Sequence, residues 1–484
     1  MLLTFIRKEI RDHLLSQRFI ILFLLCVILM PTAFYMSSKN YQAYLREYSE
    51  LARTYEEQIQ RATDSDIFAG LFLIKGFRPP APLSLFAARI EEILPRYFII
   101  TETGLQPVKS SALRGTLLSL FGRVDFLFII QYIFSLVAIL LAYDLISGEK
   151  ELATLSFTLS NAIPRDVLLL GKVLGGYLTL LIPYIVSLLI GFLVLGFLAP
   201  HIWNRSHLPR MIIILLGSFV YLAVFFNLGL VVSARTMTSK TALIYCFLLW
   251  IILVLLYPKL GAVVAEIAYP IRTQTVVGMQ KASMRASLQL EKNKRLTHIF
   301  MKYYGEDINA VSKMTREERA VARQGYSRES APVEREFDEK INEALRKIEE
   351  QYEREKENQE RLAVFLSRLS PVGWITFLIA NAAQVGEVDK RRLFSSAREY
   401  ESVIRSLVFS KFRRATIIYP DGNTLGMGGF SGRINVKGLP RFSFRPSSLS
   451  SVAKEMAVDG LLLLSCAVAL FMIAHLSFLR YDVR

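Results

Sequence analysis

Apolar residues fall into six long runs separated by segments rich in charge: Phe19–Ser37, Phe126–Tyr143, Lys172–Leu198, Met211–Val232, Thr241–Tyr257 and Met456–Leu479. A helix needs about 20 residues to cross the hydrocarbon core of a bilayer, and each run meets or approaches that length. Several carry no charge, so six buried core helices are not a tenable reading. The first run is too long for a signal-peptide core and no A-x-A-like cleavage site follows, which makes it a retained span. Pro31 and Pro183 lie inside spans, either as working kinks or as incidental bends repaired by neighbouring helices.

Between the runs the period changes. Near the N-terminus Phe5, Ile6, Ile10, Leu14 and Leu15 recur at helical spacing among Lys8, Glu9 and Arg11, predicting an amphipathic helix. Two large inserts, 38–124 and 258–455, together exceed half the chain. The first opens with good helix formers from Tyr41 to Arg61, then turns through Arg78-Pro79-Pro80-Ala81-Pro82, where closely spaced prolines oppose a helix. In the second, Phe337, Ile341, Leu345, Ile348 and Tyr352 share one helical face inside a highly charged segment. A helical stretch from Thr273 to Tyr303 precedes it, so the pair predicts an antiparallel hairpin standing off the membrane. That hairpin is either a solvated stalk or a surface for a substrate or partner. A further helix is expected over Lys390–Arg414. The Gly-rich segment Ile417–Pro446, with a turn signal at Asp421-Gly422, predicts a small β-hairpin.

The expected fold is therefore mainly α and integral to a membrane. Its order is a helix in 1–18, a span in 19–37, an insert in 38–124, a span in 125–143 and a loop in 144–171. Three spans follow within 172–257, then an insert in 258–455, a span in 456–479 and a tail in 480–484.

Charge adds orientation. Lys plus Arg number 58 against 42 Asp plus Glu, a net +16 that suits a membrane protein with basic loops near anionic lipid heads. No basic patch is interleaved with stacking aromatics, so nucleic acid is not an expected partner. Arg7, Lys8, Arg11 and Arg18, the pair Arg235 and Lys240, and the tail residues Arg480 and Arg484 fall on one side of a six-span chain. Both termini are therefore expected in the cytoplasm. Arg205 and Arg210, in a loop that should face out, run against that assignment.

Chemistry is sparse. Cys26, Cys246 and Cys466 each lie in an apolar run, and the five histidines are widely spaced, so neither a disulfide framework nor a metal or triad enzyme is indicated. Gly171-Lys172-Val173 lacks the earlier Gly and the hydroxyl of a phosphate-binding loop. Among intramembrane acids, Asp125 and Asp459 are expected at span ends within reach of water. Glu266 is expected either solvated or lining a segment that re-enters the membrane, and His475 is expected to pack.

The informative stretch is YDLISGEKELATLSFTLSNAIPRDVLLLGKVLGG, Tyr143–Gly176. Gly148 permits a bend. Glu149, Lys150 and Glu151 open a short helix whose apolar side is Leu152, Leu155, Phe157 and Leu159, and Asn161 and Pro164 end it. Such a helix is built either to be pushed by a partner or to anchor the loop in the interface.

This stretch resembles the first cytoplasmic loop of type-2 ABC exporter permeases, in a bacterial branch with large extracytoplasmic inserts. Tyr143, Asp144, Ile146 to Glu151, Thr154, Leu155, Leu159 to Asn161, Pro164, Arg165, Gly171 and Lys172 match that pattern. Ala153 departs from it, standing where the family usually has Gly. Phe5–Phe19 resembles the family's elbow helix. RPPAPLSLF and the closing LRYDVR are also similar.

The resemblance implies a permease of the bacterial inner membrane that exports a substrate and is not itself an enzyme. It binds no cofactor; ATP and Mg belong to a separate ABC ATPase. That subunit docks on Asp144, Ser147, Gly148, Glu149, Lys150, Glu151, Thr154, Leu155, Asn161, Pro164 and Arg165, beside Lys8, Glu9 and Arg11 of the elbow helix. Glu149 and Glu151 would pair with its basic groups. A second copy or paralogue would complete the path through the bilayer. The rival reading is an ATPase-coupled scaffold or mechanotransducer that grips an extracytoplasmic protein without moving a solute.

Overall fold

A computed structural model of the chain describes residues 2–68, 72–101, 104–109, 124–160, 164–305, 314–418, 424–430 and 435–480. Among the described residues, six helices are long and apolar enough to cross a membrane. The first, Gln17–Arg61, runs without a break through Pro31, so the apolar run and the polar stretch after it form one rod. The second comprises Phe126–Phe128, a π-helical stretch Ile129–Phe134 and Ser135–Ala142. The third and fourth are Arg165–Leu198 and Leu208–Arg235. The fifth comprises Ser239–Trp250, a second π-helical stretch Ile251–Leu256 and Tyr257–Ala268. The sixth is Leu449–Leu479.

The second and fourth spans are the most enclosed, and the first, fifth and sixth leave most of their apolar surface outward. A short apolar helix, Pro371–Ala382, enters the bundle beside the fourth and sixth spans. It follows a long charged helix with a bend of 117°. Gly373 is required at this corner, because a Cβ there would lie 1.8 Å from the Ser367 carbonyl oxygen. The segment after the fifth span, in contrast, continues as helix to Ala268 and does not re-enter, and Glu266 on it is exposed.

Beyond the bundle, helices Gln274–Tyr304 and Arg316–Ser367 pack as the expected hairpin. Phe337, Ile341 and Ile348 of the anticipated stripe are buried. A Thr315/Glu318 capping box starts the longer helix. The next helix ends at Leu407, earlier than expected, because the chain then pairs as strands Phe412–Ile418 and Thr424–Phe430. The Asp421-Gly422 turn lies outside the described residues, as do tail residues 481–484 and Asn161. The first insert holds a second β element not foreseen from the sequence. It is an antiparallel sheet of Ile74–Phe77, Tyr97–Thr101 and Gly104–Val108, with Ile74 opposite Ile100 and Tyr97 opposite Val108. It shares a core with the second insert, in which Tyr55, Ile59, Ile74 and Ile100 meet Ile404, Val408 and Val436. The two inserts are one body.

Buried charges fix several joints. Arg78 is fully enclosed and donates to Glu91 (2.7 Å) and to the Pro95 carbonyl (3.0 Å), so the proline-rich turn carries a structural ion pair. Asp125 is buried, away from water, because it caps the second span by accepting from the backbone N–H of Phe128 (2.8 Å) and also from that of Arg89 (3.0 Å). Asp459 is likewise buried, 3.3 Å from Arg368. Arg210 is buried too, donating to the carbonyls of Asn381 (3.2 Å), Ala382 (3.3 Å) and Ser447 (2.5 Å). It closes the end of the inserted helix, so it is no free loop cation and does not bear on orientation.

Candidate functional site at the loop between the second and third spans

The loop forms two short helices, Ser147–Glu151 and Thr154–Ser160. The sequence suggested a bend at Gly148 followed by one short helix opened by Glu149, Lys150 and Glu151. Gly148 is instead within the first helix, and the break falls at Ala153, whose φ is +56°. A residue with a Cβ pays roughly 1–2 kcal/mol for that left-handed conformation. This is the position where the resemblance expects Gly, and the backbone explains why.

The polar groups of the first part of the loop, 144–151, are tied to the inner framework of the bundle. Asp144 pairs with Arg18 at the start of the first span (2.7 Å), and the same guanidinium donates to the Tyr143 hydroxyl. The Ser233 hydroxyl of the fourth span accepts from the backbone N–H groups of Ile146 and Ser147 (3.0 Å each), while the Ser147 hydroxyl donates to the Tyr143 carbonyl (2.8 Å). Lys150 donates to the last carbonyls of the fourth span, those of Ala234 and Thr236 (3.2 Å to the latter). Glu151 accepts from the backbone N–H of Ser239 at the start of the fifth span (2.9 Å). Thr154 turns its hydroxyl back to the Glu149 carbonyl (3.3 Å). Pro164 caps the third span, and Arg165 beside it donates to the Leu479 carbonyl at the end of the sixth (2.8 Å). His475 of the sixth span lies 3.5 Å from Asp166, so it does more than pack.

At the centre is Lys172 of the third span. Its side chain is 3% exposed and sits between Glu9 of the elbow helix Leu2–Leu14 (2.8 Å) and Glu149 of the loop (2.7 Å). Two carboxylates around one ammonium make a buried charged triad that joins three elements. The elbow helix reaches it through two glycines. A Cβ on Gly171 would lie 2.6 Å from the Phe5 Cβ, and one on Gly175 would lie 2.6 Å from the Glu9 Cβ. Lys8 and Arg11 face outward from the same helix.

These contacts revise the roles expected for the acids. Glu149 pairs with buried Lys172, Glu9 points inward to the same lysine, and Glu151, though exposed, accepts a hydrogen bond within the chain. The sequence had set Lys172 aside as a failed phosphate-binding lysine. Its signal was a cation inside an apolar run, which demands a buried counter-ion. Among the side chains the loop exposes are two large apolar ones. Leu155 is fully buried, whereas Leu152 and Phe157 are 75% and 76% exposed, on either side of the Ala153 break.

No cluster of metal-ligating side chains occurs among the described residues. A family model described as ABC-2 family transporter protein matches residues 3–483. No curated protein matches the chain.

Proposed function

This chain belongs to the ABC-2 transporter family, and from that premise we propose that a separate ATPase docks on the Leu152–Phe157 edge of its loop and drives export. Membership makes the chain a multi-pass membrane permease subunit of an ABC transporter. In our reading the loop end of the bundle and both termini face the cytoplasm of a bacterial inner membrane, and ATP and Mg sit on the partner. A second permease copy or paralogue lines the other half of the path. The observation that carries the reading is the loop's two-sidedness: polar groups tied to five of the spans and the elbow helix on one side, two large exposed apolar side chains on the other. A push on that edge reaches the inner ends of the first, third, fourth, fifth and sixth spans together. Rigid helices that move as a set switch a bundle between two discrete arrangements.

Affinity purification of the tagged chain in mild detergent tests this. The ATPase subunit is expected to co-purify and to be lost in the Leu152→Glu/Phe157→Glu variant while the permease still folds. Retention of the subunit by that variant would make the exposed pair an interfacial lipid anchor instead. The rival scaffold reading, favoured by the size of the external body, is separated by whether reconstituted vesicles move any solute or lipid.

A further inference from the structure

The external hairpin changes character along its length. Away from its outer end most of its cations are matched: Lys292 with Asp338, Lys302 with Glu329, Lys340 with Glu336, Lys347 with Glu343 and Arg361 with Glu357. The first turns of the longer helix differ. Tyr303, in the last turn of the shorter helix, lies against Gly325 and donates to Glu329, so among the described residues the longer helix continues past the end of the shorter one. Near this end Arg316, Arg319, Ala320, Arg323, Ser327 and Arg328 line one open groove, and all four arginines are exposed. Among the described residues none of Arg316, Arg323 and Arg328 has an ion pair. Of the two acids in the first turn, Glu317 and Glu318, the second is turned back onto Thr315, accepting from its N–H and hydroxyl (2.8 Å each).

At about 1.5 Å per residue the cations extend over roughly 18 Å of helix, and Arg316 stands roughly 75 Å along the rod from Ser367. Arginine presents a planar fork that grips phosphate oxygens in pairs, where lysine offers a point charge. The groove has no aromatic or large aliphatic side chain among its lining residues. That disfavours a bilayer surface, which needs apolar anchors among the cations. It also disfavours a protein helix, whose interface needs an apolar core.

We propose that this arginine groove at the hairpin tip binds a linear polyanion joined by phosphoanhydride groups, an inorganic polyphosphate. The site is independent of how the ATPase docks. Binding is electrostatic, driven by release of counter-ions from the polymer, and so falls steeply with salt.

The test uses the full chain in nanodiscs of zwitterionic phosphatidylcholine, titrated with fluorescent long-chain inorganic polyphosphate. Affinity is expected to drop about tenfold or more in the R316Q/R323Q/R328Q variant, with a shallower salt dependence. The R316K/R323K/R328K variant, which keeps charge and fold, is expected to bind with intermediate affinity. K340Q/K347Q, on the paired part of the same helix, is expected to bind as wild type. Unchanged affinity in the glutamine variant overturns the site. Polyglutamate binding as tightly as polyphosphate overturns the phosphate assignment in favour of an acidic protein. Arginine-dependent capture of phosphatidylglycerol vesicles without polyphosphate binding overturns it in favour of a membrane.

Discussion

The loop Asp144–Arg165 and the external hairpin are both dense in charge and use it in opposite ways. In the loop region charge is enclosed and singular. Lys172 is 3% exposed and serves two carboxylates. On the hairpin, charge is solvated and repeated. Lys340 and Glu336 are about half exposed and belong to a ladder of similar pairs three or four residues apart. A buried pair is costly to break because the remaining charge is stranded, whereas an exposed pair contributes little and is screened by salt. The loop is thus built to hold one geometry, and the hairpin to stay helical in water whatever any single pair does.

The largest effect is expected from Lys172→Met, which strands Glu9 and Glu149. It is expected to cost about 3–5 kcal/mol, read as a lowered unfolding midpoint of the full chain in detergent. Next is Gly175→Leu. The added side chain meets Glu9 and the Ile6 carbonyl, and overpacking of about 1–3 kcal/mol is expected to lift the elbow helix, read as faster proteolysis near Ser16. Ala153→Gly relieves the left-handed residue and is expected to stabilise by about 1 kcal/mol, with the ATPase still bound. A loss of stability there would mean the break at Ala153 is not fixed as described.

The smallest effect is Lys340→Ala, expected to leave the hairpin's helicity near neutral pH unchanged. The hydrogen bond from Lys340 holds the Glu336 carboxyl below its ordinary value of 4.5, and that from Lys347 does the same for Glu343. An acid whose folded pKa is depressed contributes stability above its unfolded pKa and loses it as pH falls through the folded one. Helicity measured by circular dichroism is therefore expected to hold from neutral pH down to that range and weaken only in stronger acid. A transition near pH 6 would contradict this.

Much of the architecture was legible in the sequence because it is local. Six apolar runs and the stripe Phe337, Ile341, Ile348 express period and length within one segment. The elbow helix and the matching loop residues were also readable. What escaped was long-range. The sheet Ile74–Phe77/Tyr97–Thr101/Gly104–Val108 has short strands, one with Pro107, and its core comes partly from Ile404 and Val408, far along the chain. The inserted helix Pro371–Ala382 is too short for a span, yet its PVGWITFLIANA composition is that of a buried helix, and that signal was available. The triad was missed for a different reason. Glu149 looked like an exposed acid at a helix start, and only the packing of Gly171 and Gly175 against the elbow helix brings Glu9 to the same lysine. Residue types marked the loop as a candidate site, and three-dimensional pairing decided which of its side chains are tied within the chain.

That division of labour is tested most directly with Glu149→Gln in the assembled complex. The measurement is the rate of maleimide labelling of a cysteine introduced at Val263, far from the loop, with and without a non-hydrolysable ATP analogue. The expected result is that the variant keeps its ATPase subunit but loses the nucleotide-dependent change in labelling seen in the parent protein. A variant that responds to nucleotide as the parent does, or that loses the ATPase subunit outright, would contradict the triad as the link between the docked loop and the spans.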